Sequence, residues 1–341
     1  MKKAFLLLVV LFCFCMSCTE KSKHCETVSS FPITEDLEAE VLTIPIPIFL
    51  PRYIGVLDDY LYIYKEKEEH LFSFFDLKDD RYVGDMGKRG QGPDEFLMLD
   101  VRGFNRMKGN RFTVFEAGSN LLKTVEFDGI KLSVKEVKPF FKQGITSNGF
   151  YCLADSMFLT LGRLEGDSEY CLLNGKTGEL SEIGEYPSWV EREDVTNNPP
   201  LFVPYLKTCA VRPDKKRIVS FYSRFKHLRI YDDKMEMLHD IDVRIPPCIV
   251  NFQKPAQEQP VYYIGAPCAT EERIYVLCAN SHTGSEQYEL QVWDWKGKPI
   301  ACFRLDRKIS MLTIDTRSNK AYAVDNQIAD ELYVYRLPLM N

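Results

Sequence analysis

The stretch GVLDDYLYIY, residues 55–64, contains the end of one β-strand, a polar turn and the start of a second strand. Five similar stretches follow it: GFNRMKGNRFTVF from Gly103, CLADSMFLTL from Cys152, CAVRPDKKRIVSF from Cys209, CATEERIYVLC from Cys268 and LTIDTRSNKAYAV from Leu312. Runs of Val, Ile, Tyr and Phe bounded by polar turns are typical of short strands. A strand pattern that recurs about every 50 residues predicts a repeat architecture built from β-meanders.

Most copies continue with a third strand, as in HLFSFFDL from His70, and four of them show a clear fourth strand, as in RYVGDMG from Arg81. The chain is therefore predicted to be all-β, a six-bladed β-propeller of four-stranded antiparallel blades. The sixth copy ends after three strands, whereas residues 37–49 form an extended segment outside any copy. This N-terminal segment is predicted to supply the missing outer strand and to close the ring.

Five of the six leading positions are Gly or Cys, among them Cys152, Cys209 and Cys268. If these positions are equivalent, they lie on the innermost strands, where the blades converge and little side-chain volume fits. The small residues are thus interpreted as packing residues. Eight cysteines follow residue 18 without any C-x-x-C pair, and they are predicted to be mainly buried thiols rather than disulfides.

The segment GKRGQGPDEF, residues 87–96, resembles the G-x-x-G-x-G-P-x-E-F signature of bacterial TolB-like six-bladed propeller lipoproteins, which are similar to NHL-repeat propellers. The matching residues are Gly87, Gly90, Gly92, Pro93, Glu95 and Phe96. The resemblance implies the propeller fold but leaves the function open, because propellers carry unrelated activities. The strand count independently places this segment in the crossover from the first blade to the second, so its glycines are predicted to be structural.

The N-terminus has the features of an export signal. Lys2 and Lys3 precede an apolar run that is too short for a membrane span and ends at Ser17-Cys18. The sequence predicts a lipoprotein signal peptide at residues 1–17, a lipidated Cys18 with a polar tether at 18–34, and one propeller at 35–341. The expected location is the outer membrane, with the periplasmic side favoured over the cell surface.

Several kinds of function find no support in the sequence. The formal net charge of −6 offers no basic stripe for a nucleic acid. The 87–96 segment lacks the order of residues and the following helix that a Walker or dinucleotide loop requires. No G-x-S-x-G elbow or H-E-x-x-H pair occurs. No cofactor is predicted.

In a propeller, the connections from the outer strand of one blade to the inner strand of the next emerge on one face, together with the turns between second and third strands. Long connections in compact domains are often functional. The candidate ligand-binding residues on this face are Arg89, Gln91, Glu95, Arg163, Trp189, Tyr205, Arg224, His227, Tyr263 and His282. For Trp189, packing beneath its own loop is the alternative to ligand contact.

The sequence thus favours a monomeric, non-catalytic binding or scaffold propeller that engages an envelope protein, a peptide or a glycan, and that contacts the membrane only through its lipid. One alternative is a Ca²⁺-dependent hydrolase of lactonase type, for which Glu95, Asn148 and Asp325 would be the oxygen ligands. Another is a purely structural envelope protein.

Overall fold

Strands alternate with tight turns along the whole described chain, as the repeat predicts. The structure is a computed structural model that describes residues 25–139, 149–154, 156–161, 167–191, 200, 202–282 and 286–340. Its 26 strands form six sheets, each made chiefly of one meander. The all-β six-bladed propeller is therefore confirmed. No helix within these residues is long and apolar enough to cross a membrane.

The first three blades are four-stranded and antiparallel throughout. Blade 1 contains β4 to β7, at Pro51–Val56, Tyr60–Lys65, His70–Asp76 and Arg81–Lys88. Blade 2 contains β8 to β11, at Leu99–Arg106, Arg111–Glu116, Leu121–Phe127 and Leu132–Pro139. Blade 3 contains β12 to β15, at Tyr151–Ala154, Met157–Leu161, Ser168–Asn174 and Leu180–Glu185.

The last three blades also recruit the N-terminal residues. Blade 4 contains β16 to β19, at Lys207–Val211, Arg217–Tyr222, His227–Asp232 and Met237–Val243. Blade 5 contains β20 to β23, at Val261–Ala269, Arg273–Ser281, Glu289–Asp294 and Pro299–Leu305. Blade 6 contains β24 to β26, at Met311–Asp315, Lys320–Val324 and Glu331–Arg336. The three N-terminal strands are β1 Glu26–Val28, β2 Ile33–Leu37 and β3 Glu40–Thr43.

The ring closes at blade 6, as the sequence predicts. Strand β3 pairs antiparallel with β26, with Leu42 opposite Leu332, and the chain then enters the inner strand β4 of blade 1. Blade 6 thereby gains its fourth strand from a segment nearly the whole chain away. The closure leaves β26 without an open edge.

A different outcome is found for residues 26–37, most of which were predicted to be tether. Strand β1 adds to the outer strand of blade 4, and β2 adds to the outer strand of blade 5, both in parallel. Blades 4 and 5 therefore have five strands. Residues 26–43 run along the outside of three consecutive blades, and we call them the N-terminal belt. Arg304 of blade 5 fixes it through an ion pair with Asp36 at 2.5 Å.

The core lies between blades, because each blade is covered by its neighbours on both faces. This explains why the second strand of blade 1 reads as a continuous run with five buried residues out of six. None of the eight described cysteines forms a disulfide. Cys171, Cys209, Cys278 and Cys302 are buried as predicted, whereas Cys25 and Cys248 are exposed.

The small leading residues do lie on the innermost strands, and the two glycines face bulky side chains of the second strand. A Cβ atom on Gly55 would come within 2.7 Å of the Tyr62 ring, and one on Gly103 within 2.7 Å of the Phe115 Cβ. Cys209 is 3% exposed, and burial raises the pKa of its thiol to about 11. These positions therefore serve packing near the propeller axis.

Replacing Gly55 with alanine is expected to destabilise the protein by about 1–3 kcal/mol, because the added methyl group overpacks against Tyr62. A matched control is Gly118→Ala, since a Cβ at Gly118 would meet no atom within 4 Å. Urea unfolding of the two variants measures the difference. Equal midpoints for both variants would contradict the packing interpretation.

Candidate functional site

The crossover face carries the connections from outer to inner strands and the turns between second and third strands. Its first crossover, residues 89–98, forms a compact loop held by its own residues. Gly87, just before the loop, has φ +72°, and a Cβ there would lie 2.7 Å from the Phe72 ring. The Glu95 carboxylate turns back and accepts a hydrogen bond from Gly92 N at 2.7 Å. A Cβ at Gly90 or Gly92 would lie within 3 Å of that carboxylate, so Glu95 could not keep its position.

The loop is anchored from below by a buried ion pair in blade 2. Lys123 Nζ lies 2.5 Å from Glu116 Oε1 and donates to Glu95 O at 2.8 Å. It also lies 5.2 Å from the centre of the Phe96 ring, which is fully buried against Phe72. The glycines, Glu95 and Phe96 are therefore structural. The sequence reasoning missed Glu116 and Lys123.

Two exposed polar residues remain on this loop. Arg89 donates to the main-chain oxygens of Glu66 and Glu68 and is thus tied to the neighbouring turn. Gln91 is exposed at the tip. Of the predicted set, these two residues lie where a partner could touch them, at the rim of blade 1.

Trp189, Tyr205 and His227 are brought together, but as packed residues. Trp189 and Tyr205 belong to an aromatic cluster that covers the top of blade 4, and His227 packs against it. We call this cluster the blade 4 cap: Tyr186, Trp189, Tyr205, Tyr222, Phe225 and Phe252. The Trp189 ring lies 3.9 Å from that of His227 and 4.7 Å from that of Tyr222. Tyr205 is only 2% exposed. Trp189 therefore packs beneath its own loop, which was the alternative to ligand contact. Tyr205 is too buried to stack on a ligand.

Beneath the cap lies a network of buried charges between blades 3 and 4. Glu169 Oε1 lies 3.0 Å from Lys207 Nζ, and Arg229 lies 3.6 Å from the other oxygen of Glu169. Tyr222 OH donates to Glu169 at 2.5 Å. Arg229 also binds Asp240 at 3.0 Å. The two carboxylates and the two cations compensate one another, which is the condition for burying them.

The Asp240 carboxylate is the outermost member of this network. Although burial raises its pKa, the hydrogen bonds from His227 and Arg229 outweigh that effect, so the pKa of Asp240 lies below its usual value. Asp240 is therefore ionised in the native protein at neutral pH. No sequence motif identifies the network, because its members come from four strands of two blades.

The remaining predicted residues are dispersed. Tyr263 is fully buried and donates to Gln291 at 3.2 Å. Arg224 donates to the main-chain oxygen of Pro260 at 3.1 Å, and burial lowers its pKa. His282 is bonded to Asn280 O at 3.0 Å. The predicted positions Cys18, Asn148 and Arg163 lie outside the described residues.

The oxygen donors proposed for a Ca²⁺ hydrolase are held by their own loops. Glu95 binds Gly92, as described above, and Asp325 is 3% exposed and accepts from Gln327 N at 3.0 Å. A Ca²⁺ ion needs six to eight oxygen ligands that face one point. The third donor, Asn148, is not among the described residues, so this alternative stays a prediction.

An open groove lies at the edge of the blade 4 cap, between the third and fourth crossovers. Its volume is about 240 Å³, and it is lined by Val190, Val250, Asn251, Phe252 and Gln253. The side chains of Ile249 and Val250 are 43% and 49% exposed, and Leu206 on the same face is 40% exposed. Contiguous exposed apolar surface marks interaction sites, and the neighbouring Ile249 and Val250 make this groove the candidate. Sequence reasoning identified these two long crossovers but selected their aromatic residues, which turned out to be packed.

Comparisons with known proteins agree with the fold. The model of a family described as TolB-like 6-blade propeller-like matches residues 34–317. A crystal structure of a DUF4221 family member from Bacteroides vulgatus ATCC 8482 superposes with a TM-score of 0.64 at 13% identity, covering 88% of this chain and 97% of that one. A protein from Bacteroides fragilis NCTC 9343, described as a candidate exported protein, gives a TM-score of 0.56 at 11% identity, covering 92% and 100%. Among curated protein sequences none matches.

Proposed function

The chain belongs to the TolB-like six-bladed propeller family, and from this premise we propose that it is an exported, non-catalytic binding propeller whose crossover face holds a segment of another protein. The observation that carries the proposal is the groove beside the blade 4 cap. It lies on the face with the long crossovers and is bordered by apolar side chains that a monomer leaves in water.

The size and lining of the groove favour a protein segment over the other predicted partners. A volume of about 240 Å³ is smaller than the roughly 300–1,000 Å³ of small-molecule sites, and it suits a single anchoring side chain. Stacking on a sugar ring needs an exposed aromatic face. Tyr205 and Phe252 are 2% and 6% exposed, so a glycan finds no stacking surface on them. The groove is therefore best suited to an apolar side chain of an envelope protein or peptide.

Export and anchoring complete the proposal. The signal peptide and Cys18 read from the sequence support a lipid anchor, and the description of the Bacteroides fragilis relative supports export. With the belt docked on blades 4 to 6, an anchor at Cys18, eight residues before Glu26, would hold blade 4 nearest the membrane. We favour the periplasmic side of the outer membrane.

A photocrosslinking amino acid at Val250 tests the binding face in cells that produce the protein. We expect one discrete crosslinked species, because Val250 borders the groove and is half exposed. Ile130 is the matched control, since it is an apolar residue, 85% exposed, in the turn between β10 and β11 on the opposite face. The proposal would be wrong if position 130 crosslinked to the same species with equal yield, or if position 250 gave none.

A further inference from the structure

The outer edge of blade 4 brings together a thiol, an imidazole and a carboxylate from three neighbouring strands. His227 is on β18, Asp240 on β19, and Cys25 immediately precedes β1. The ligand atoms of these three residues all lie within 4.8 Å of one another. We propose that Cys25, His227 and Asp240 form a binding site for a Zn²⁺ ion.

The register of the sheet explains why the three side chains meet. Arg229 pairs with Asp240, and His227 pairs with Asp242, so the side chains of these four residues share one face of the blade. In the parallel pairing of β1, Thr27 lies beside Asp242. Cys25, two residues before Thr27, therefore lies on the same face, level with Asp240. The juxtaposition follows from regular strand geometry rather than from a loop.

The positions of the atoms are close to those that a tetrahedral ion needs. His227 Nε2 lies 2.5 Å from Asp240 Oδ1. Two ligand atoms at about 2.0–2.2 Å from a tetrahedral Zn²⁺ are roughly 3.4 Å apart. Binding thus requires the imidazole and the carboxylate to separate by less than about 1 Å, with the ion replacing the hydrogen between them. The Cys25 thiol, whose sulfur lies within 4.8 Å of both of these atoms, is the third ligand.

The surroundings hold two of the ligands in place. The Trp189 ring lies on the His227 ring at 3.9 Å between centres. Arg229 donates from Nη2 to Asp240 Oδ2 at 3.3 Å and from Nε to Oδ1 at 3.0 Å, so Oδ1 is shared between Arg229 and His227. Such outer contacts orient ligands in metal sites. The side chains of His227 and Asp240 are 8% and 11% exposed, whereas Cys25 is exposed, so an ion can enter from the solvent side.

The three donor groups, a thiolate, an imidazole and a carboxylate, favour Zn²⁺ over Ca²⁺ and Mg²⁺. A thiolate and an imidazole bind Zn²⁺ well, whereas Ca²⁺ and Mg²⁺ require oxygen ligands. With the ion bound, the Cys25 thiolate, Asp240 and Glu169 carry three negative charges against the four positive charges of Zn²⁺, Arg229 and Lys207, so one net positive charge remains. Three protein ligands leave the fourth position to water. The ion would join the first strand of the N-terminal belt to blade 4.

Titration of the purified full chain with Co²⁺, a coloured substitute for Zn²⁺, tests the site. We expect one equivalent to produce a thiolate-to-metal charge-transfer band in the near ultraviolet, which Zn²⁺ then abolishes. Cys25→Ser should remove the band and weaken Zn²⁺ binding more than about 100-fold, because loss of an outer contact alone costs about 10–100-fold. Cys25→Asp should retain binding without the band.

The control is Cys248→Ser, since among the described cysteines only Cys25 and Cys248 are exposed, and Cys248 lies on the crossover between β19 and β20. This variant should bind like the wild type. In addition, Zn²⁺ should raise the unfolding midpoint of the wild type but not that of Cys25→Ser. Absence of the band in the wild type, its persistence in Cys25→Ser, or its loss in Cys248→Ser would each overturn the proposal.

Discussion

Replacing Lys207 with methionine is expected to destabilise the propeller by about 3–5 kcal/mol, the usual cost of removing one partner from a buried ion pair. Lys207 and Glu169 are 3% and 2% exposed, with 3.0 Å between Nζ and Oε1. The ammonium group also lies 4.9 Å from the centre of the Tyr170 ring. Without Lys207, the Glu169 carboxylate stays buried with only Tyr222 and Arg229 for compensation. Equilibrium unfolding in urea at neutral pH measures the loss.

A second variant separates charge from packing. Lys207→Met combined with Glu169→Gln removes both charges at nearly constant volume, so most of the lost stability should return. The surface comparison is Arg336→Met, which breaks the exposed pair with Glu40 at 3.6 Å and should cost under about 1 kcal/mol. If Lys207→Met alone costs no more than Arg336→Met, the network does not stabilise the contact between blades 3 and 4.

A chain that begins at residue 45 is expected to lose cooperative unfolding. It lacks β3, so β26 becomes an open edge and the buried side chains of Leu332 and Val334 lose their cover. Exposing these residues, and losing the packing of Leu42 and Ile44 in the same cluster, costs on the order of 5 kcal/mol. That amount is comparable with the whole stability of many domains, about 5–15 kcal/mol. Heat denaturation and gel filtration should show a broad transition and aggregation through the open edge.

The matched truncation begins at residue 30 and removes only β1. This strand is three residues long and mostly exposed, and β19 keeps its main partner β18. We expect a loss of no more than about 1 kcal/mol and a monomer in gel filtration. Identical behaviour of the two truncated chains would show that ring closure by β3 is not what stabilises the propeller.

Much of the fold could be predicted from the sequence because the repeat is local. The six strand pairs, the crossover at residues 87–96 and the closing segment before Phe49 are all visible as runs and turns. Strands β1 and β2 were not predicted, since Glu26–Val28 and Ile33–Leu37 are short and polar. Their partners are parallel strands more than two hundred positions later, and no local pattern reveals such a pairing.

The candidate site was harder to predict for a related reason. From the sequence, charged residues within strands, such as Glu169 and Lys207, are expected to face solvent. The structure shows them buried, because the neighbouring blade covers them. Aromatic residues in long crossovers read as ligand contacts, yet Trp189 and Tyr205 cover the blade beneath. The aliphatic residues Ile249 and Val250 give no signal in the sequence, because only their exposure makes them notable.

The N-terminal belt also sets the order in which the molecule can fold. Glu26, Ile33 and Leu42 pair with Ile241, Ala301 and Leu332, so the belt binds strands that are synthesised more than 200 residues later. Pairings so distant along the chain fold slowly, because a long loop must close before any contact is gained. Blades 1 to 3 can form while the belt is still unpaired, because its partner strands belong to blades 4 to 6. The ring therefore remains open until synthesis is almost complete, and the nascent chain carries an unpaired belt until then.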